Sequence, residues 1–189
     1  MLQVCKTIMI LEKIQVTDSV YFSLIADEDK VAYLEYFKEK EIAENTLSIP
    51  YPYTKEDAEK WIRVNKDLRE QGLVANWAIR KRDTEHNGLI GGIGFAPPFK
   101  AKTIHVSEIG YWLAKPFWNQ GIMTKVVAKI CDQAFKEFGL VRITGHVFHF
   151  NTASARVLEK CGFEKEGYLK KYFLKNGQLI DAKLYARVI

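Results

Sequence analysis

Ser107-Glu108-Ile109-Gly110-Tyr111-Trp112-Leu113, then Ala114 to Asn119, then Gln120-Gly121-Ile122-Met123-Thr124, reads as a strand, a loop through Pro116 and the mouth of a helix. The helix is predicted from about Gly121 to Phe138. A helix N-terminus presents unpaired backbone N–H groups and the positive end of a dipole, and the two together bind phosphate. Gly121 lets the backbone come close to a ligand, although one glycine before a helix also marks a plain helix start.

Downstream, Val141 to Phe150 reads as a strand, and Asn151-Thr152-Ala153-Ser154-Ala155-Arg156-Val157-Leu158-Glu159-Lys160-Cys161-Gly162-Phe163 as a short helix closed by Gly162. Phe163 to Leu174 and Gln178 to Val188 then form a hairpin around Asn176-Gly177, a two-residue turn signal.

Upstream, Leu89 to Phe95 and Val74 to Arg80 are strands joined by the polar stretch Lys81 to Gly88. Thr54 to Asp57 caps a helix with Ala58, Trp61, Ile62 and Leu68 as its buried stripe. Val31, Leu34, Tyr36 and Phe37 mark an amphipathic helix from about Asp27 to Glu44. Ile8 to Val16 and Val20 to Ile25 are β-rich around Thr17-Asp18-Ser19. The order is α+β with long antiparallel runs, not a regular βα alternation.

The 107–124 and 151–163 segments together resemble the GNAT superfamily of N-acetyltransferases, and within it the ribosomal-protein N-terminal branch of RimJ/RimL type. The stretch Ile49-Pro50-Tyr51-Pro52-Tyr53-Thr54 to Ile62 and the ending from Asn176-Gly177 to Tyr185-Ala186-Arg187 look like the same branch. The resemblance implies one domain over 1–189. Its sheet would be mixed, mainly antiparallel and six- to seven-stranded, splayed into a V between central strands and flanked by about four helices.

It also implies acetyl-CoA as co-substrate and no metal. The backbone of Trp118, Asn119, Gln120, Gly121, Ile122, Met123 and Thr124 would hold the diphosphate. Tyr111, Trp112 and Leu113 would pair with the pantetheine arm, Asn151 would hydrogen-bond that arm, and Ser154 would lie near the sulfur. Asn151 and Ser154 are also ordinary helix-capping residues. The family's loop pattern of Gln/Arg-x-x-Gly-x-Gly/Ala falls on Trp118, Gly121 and Met123, so only the glycine is kept.

Attack on a thioester needs a neutral amine. At pH ~7 an α-amino group of pKa ~8 loses its proton for about 1.4 kcal/mol, and a lysine of ~10.4 for about 4.6. A carboxylate acting as general base lowers either barrier. Glu108 is the candidate, being the only acidic residue between Asn87 and Gln120 and lying on the strand expected to bend around the thioester. Ser154 or Tyr168 would protonate the departing thiolate. Some ribosomal-protein acetyltransferases place an acid on the strand after the Gly-Phe element, where this chain has Phe173, which cannot serve as a base. The alternative function is an acyl-CoA-binding or regulatory module of the same fold.

Charge divides the chain. The first 70 residues hold 10 Lys+Arg against 14 Asp+Glu, whereas Met123 to Ile189 holds 12 against 6. An acidic N-terminal part suits a cationic acceptor and a basic C-terminal part an anionic ligand. The acceptors expected, in order, are a protein or peptide N-terminus such as that of a ribosomal protein, a polyamine, and an amino sugar.

Cys5, Cys131 and Cys161 lack CxxC spacing, which argues against a disulfide framework and for the cytoplasm; a monomer or homodimer is expected. Apolar runs such as Ile8 to Leu11 are too short to cross a bilayer, and no nucleic-acid signature is present. His146 and His149, three apart on a strand, face opposite ways and do not share a metal. Gly91-Gly92-Ile93-Gly94 lies inside a strand and marks close packing, not a dinucleotide fingerprint.

Overall fold

The computed structural model describes residues 13–71, 74–96 and 105–189. Cys5 and the first part of the Ile8–Val16 strand, with the start of the strand expected at Ile104, lie outside the described residues. The strands are β1 (Lys13–Gln15), β2 (Val20–Ser23), β3 (Asn76–Lys81), β4 (Leu89–Phe95), β5 (Val106–Leu113), β6 (Arg142–Phe148), β7 (Glu164–Lys175) and β8 (Gln178–Val188). The helices are α1 (Asp29–Tyr36), α2 (Lys40–Glu44), α3 (Lys55–Glu70), α4 (Ile122–Glu137) and α5 (Thr152–Lys160).

One sheet runs in the order β1-β2-β3-β4-β5-β6-β8-β7, antiparallel at every pairing except β5–β6. It has eight strands among the described residues, one more than expected, because the Thr17–Ser19 turn folds the short β1 onto β2. The helix expected over 27–44 is two helices, with Glu39 extended between them (φ −76°, ψ 106°). The break follows from the core. Ile42 stands nine residues, or about two and a half turns, after Tyr33, so one continuous helix would aim them oppositely. Breaking the chain at 37–39 buries both.

The helices cover opposite faces. Val126, Val127, Ile130 and Ala134 of α4 and Leu158 of α5 pack with Trp77, Ile93 and Ile143 on one side. Tyr33 and Phe37 of α1 and Ala58 and Ile62 of α3 pack with Ala78 and Leu89 on the other. β4 is buried along its whole length between the two layers. Its glycines are required there: a Cβ at Gly92 would sit 2.5 Å from Trp112 Nε1, and one at Gly94 2.6 Å from Ala75 O.

Local chemistry fixes the helix starts. Thr54 and Asp57 form the expected reciprocal cap of α3, Asp57 N donating to Thr54 Oγ1 and Thr54 N to Asp57 Oδ2. The start of α1 is tied to β3 by a fully buried ion pair, Arg80 Nη1 to Asp29 Oδ1 at 2.8 Å. At the far end, Asn176 and Gly177 (φ 49° and 77°) make the tight β7–β8 turn that their dipeptide announces.

Candidate active site

β5 and β6 pair only over Val106↔Arg142, Ser107↔Ile143 and Glu108↔Thr144. Beyond that rung β5 stays with β4 and β6 stays with β8, so the two strands part and open a V in the sheet. Leu158 of α5 seats over the parting point. A Cβ at Gly145 would come within 3.0 Å of Leu158 Cδ1, so the glycine is what lets α5 lie this close. The opening is a cavity of ≈ 800 Å³ that reaches both faces of the sheet.

Glu108 is the last β5 residue on the shared ladder and lines this cavity. Its Oε1 lies 3.0 Å from Nδ1 of His146, which is two residues past its ladder partner Thr144 on the same face. Nδ1 makes no aligned hydrogen bond, so the two groups are close neighbours rather than hydrogen-bonded partners. The imidazole stacks on Tyr172 with centroids 4.7 Å apart, and Phe173 packs edge-on at 6.3 Å. Tyr172 reaches His146 through a bulge. Between Leu169↔Ala182 and Phe173↔Ile180, three β7 residues face Asp181 alone, and Asp181 Oδ1 accepts Lys171 N at 2.7 Å.

On the opposite face, Tyr111 Oη lies 2.9 Å from Ser154 Oγ in the first turn of α5. Burial pushes the Tyr111 phenol well above its usual range, with the Ser154 contact opposing it, so it holds its proton at neutral pH. Asn151 caps α5, its Oδ1 accepting Ser154 N at 3.0 Å, while its Nδ2 donates to Asn45 O at 3.4 Å. Of the two residues that the sequence left between capping and ligand contact, Asn151 caps the helix and Ser154 turns its hydroxyl to Tyr111, and both line the cavity.

Past Leu113 the chain makes a short turn, and Trp118 Nε1 donates back to Leu113 O at 2.7 Å. Asn119 and Gly121 both take positive φ (60° and 69°) before α4. Gln120 Nε2 donates to Pro116 O at 2.9 Å, bracing the loop from its start. The first N–H with a helical acceptor is that of Lys125, to Gly121 O. A Cβ at Gly121 would meet nothing within 4 Å. Met123 turns into the core at 7% exposure, so its bulk does not obstruct the helix mouth. Trp112 packs against Phe37 with centroids 4.5 Å apart and forms cavity wall.

Tyr168 requires a correction: the structure does not bring it to this group. It is exposed on the terminal hairpin, its hydroxyl donates to Asp181 Oδ2 at 2.8 Å, and it does not line the cavity. Burial raises the thiols of Cys131 (to about 12) and Cys161, and Cys161 Sγ donates to Thr124 O, so both are packing residues rather than nucleophiles. No group of three or more His, Cys, Asp or Glu is placed to hold a metal ion among the described residues, and no described helix is long and apolar enough to cross a membrane.

The acidic surplus of the first 70 residues lies outside the cavity. Glu35, Glu44, Glu59 and Asp27 pair with Lys38, Lys40, Lys30 and Lys66, and Glu39 and Glu41 share Lys115. Only Asp57 and Glu108 bring carboxylates to the lining, and Asp57 is engaged in capping α3. His146 is the cavity residue that sequence reasoning missed. Its placement depends on the β5–β6 register, which no local pattern carries.

An antiparallel sheet parted after one short parallel ladder, with a helix mouth at the end of the parting strand, defines an acyltransferase fold of GNAT type. A profile of the GNAT acetyltransferase domain matches residues 20–164. An uncharacterised N-acetyltransferase, YoaA of Bacillus subtilis, is 34% identical over 177 residues, covering 91% of this chain and 94% of YoaA. The ribosomal-protein-serine acetyltransferase of Escherichia coli is 30% identical over 182 residues, covering 94% and 97%. Among solved structures, RimL in complex with coenzyme A superposes with a TM-score of 0.79 over 94% of this chain and 98% of RimL, at 24% identity. The chain belongs to the GNAT family of acyl-CoA-dependent N-acetyltransferases.

Proposed function

We propose that this single-domain protein transfers the acetyl group of acetyl-CoA to a primary amine by direct attack on the thioester, with Glu108 as general base. The observation that carries the proposal is the parting of β5 from β6 immediately after Glu108↔Thr144. It leaves a carboxylate at the base of a cavity whose two walls are free strand edges. A free edge takes an extended polar arm by backbone pairing, which supports pantetheine lying along Tyr111 to Leu113. The uncapped N–H groups from Asn119 to Thr124, with open space before Gly121, support a diphosphate at the mouth of α4. Bound coenzyme A in RimL, of the same fold, is in keeping with this.

The amine nitrogen attacks the carbonyl carbon and gives a proton to Glu108, directly or through water. The tetrahedral intermediate collapses with loss of the C–S bond. The thiolate takes its proton through Ser154, whose hydroxyl regains one from water and stays in contact with the protonated Tyr111, while Glu108 returns the proton it gained to water. Among acceptors, a peptide α-amine ranks above a polyamine or an amino sugar. A polycation needs several free carboxylates, and the cavity lining has Glu108 besides the helix-capping Asp57. The ribosomal-protein-serine acetyltransferase activity named for the Escherichia coli relative agrees with that order.

Free thiol is measured from acetyl-CoA across a panel of amines. Release that requires both an amine and Glu108 is the expected result. Tight acetyl-CoA binding without release for any amine would overturn the proposal in favour of an acyl-CoA-binding regulator.

A further inference from the structure

α3 carries two apolar stripes and only one of them is packed. Ala58 and Ile62 are its buried residues. Trp61, Val64 and Leu68, continuing the line from Asp57 at helical spacing, face the cavity instead. Trp61 is 36% and Val64 41% exposed on a helix whose other outward positions are charged or amide residues. The sequence assigns Trp61 and Leu68 to the core, yet they form a wall. Trp61 is held in place, its Nε1 donating to Tyr33 Oη at 3.3 Å. Ile49, Tyr53, Phe148 and Phe173 line the same cavity.

This wall lies on the Glu108 side of the sheet. Glu108, Gly110 and Trp112 alternate onto one face of β5, and Trp112 packs on Phe37 of α1, in the layer to which α3 belongs. Gly110 leaves the space between Glu108 and Trp112 open, since a Cβ there would meet nothing within 4 Å. An amine nitrogen beside Glu108 is thus flanked by apolar and aromatic surface, which also disfavours its protonated form.

We propose that the acceptor is an α-amine whose neighbouring carbon bears a large apolar side chain, and that Trp61, Val64 and Leu68 receive that side chain. The inference rests on the acetyl-transfer reading above and narrows it.

The test measures kcat/KM by thiol release for peptides of one sequence that begin with Phe, Leu, Ser or Gly, alongside spermidine and kanamycin. Phe- and Leu-led peptides are expected to exceed Ser- and Gly-led ones by about tenfold or more, the scale on which an apolar pocket discriminates. Val64→Asn, a change at a half-exposed position, is expected to collapse that preference, mainly through KM. Equal rates across the peptides, or spermidine or kanamycin as the best acceptor, would sink the apolar-acceptor claim while leaving acetyl transfer intact. Acetyl-CoA binding with no release for any amine would sink both. A change in sedimentation mass for Val64→Asn with its substrate preference retained would make the stripe a contact between copies of the chain, and would also overturn the claim.

Discussion

Glu108 Oε1 and His146 Nδ1 stand 3.0 Å apart across the point where β5 and β6 separate. The same parting that opens the cavity therefore sets a carboxylate against an imidazole at its base, and each can be removed without touching a buried core residue. Glu108→Gln keeps the size of the side chain and deletes the base. Turnover is expected to fall by about 10²–10⁴-fold. Acetyl-CoA affinity, measured by calorimetry, should stay near the wild-type value. A wild-type rate in this variant would remove Glu108 from the mechanism.

His146 stands against that carboxylate and is itself held by Tyr172. His146→Phe preserves an aromatic ring for Tyr172 to stack on and removes Nδ1. The kcat for thiol release is expected to fall while acetyl-CoA affinity and thermal stability stay near the wild-type values, because the Glu108 side chain loses a neighbour that positions it. An unchanged kcat would assign His146 to packing alone.

Asn151 joins helix capping to the cavity, and two substitutions separate these duties. Asn151→Ala should cost about 1 kcal/mol of stability through the lost cap, and a further 1–3 kcal/mol of acetyl-CoA affinity if the side chain holds the pantetheine arm. Asn151→Asp keeps a capping oxygen for Ser154 N. Stability is expected to recover while affinity does not, because a carboxylate cannot donate. Recovery of both in thermal melts and calorimetry would leave Asn151 as a cap only.

The buried pair Asp29–Arg80 offers a stability test away from the chemistry. Arg80 also donates to Asn87 O, so it ties α1 to the 3₁₀ turn before β4 as well as to β3. Asp29→Ala strands a buried guanidinium and should destabilise the fold by about 3–5 kcal/mol in urea unfolding. A loss below about 1 kcal/mol would mean that water reaches Arg80 and the pair is not structural.

What could be read from the sequence was local. Asn176-Gly177, the Thr54–Asp57 cap, the crowded glycines of β4 and the mouth of α4 each depend on a few adjacent residues, and each is realised. What could not be read depends on pairing between distant segments. His146 meets Glu108 only through the register of β5 on β6. Tyr172 meets His146 only because three β7 residues bulge opposite Asp181, and that same hairpin carries Tyr168 away from the cavity. Periodicity marks Trp61 and Ile62 alike as apolar positions of α3, and only the packed layer distinguishes the buried one from the exposed one. The charge count misled for a related reason: it records how many carboxylates the Asp27–Glu70 segment carries, not that lysines on the outer surface pair with half of them and that only Asp57 among them lines the cavity.

Gly121 tests the diphosphate site most directly. Its φ of 69° lies in the left-handed region, and apart from its chain neighbours no described residue stands within 4 Å of where a Cβ would be. Gly121→Ala should cost about 1–2 kcal/mol in stability from the backbone conformation alone. The added methyl also points into the open space that the proposal gives to phosphate oxygens. The loss of acetyl-CoA affinity should therefore exceed the loss of affinity for acetyl-pantetheine, which lacks the diphosphate. Equal losses for the two ligands would mean that the mouth of α4 holds no diphosphate, and that Gly121 serves only to turn the chain into its helix.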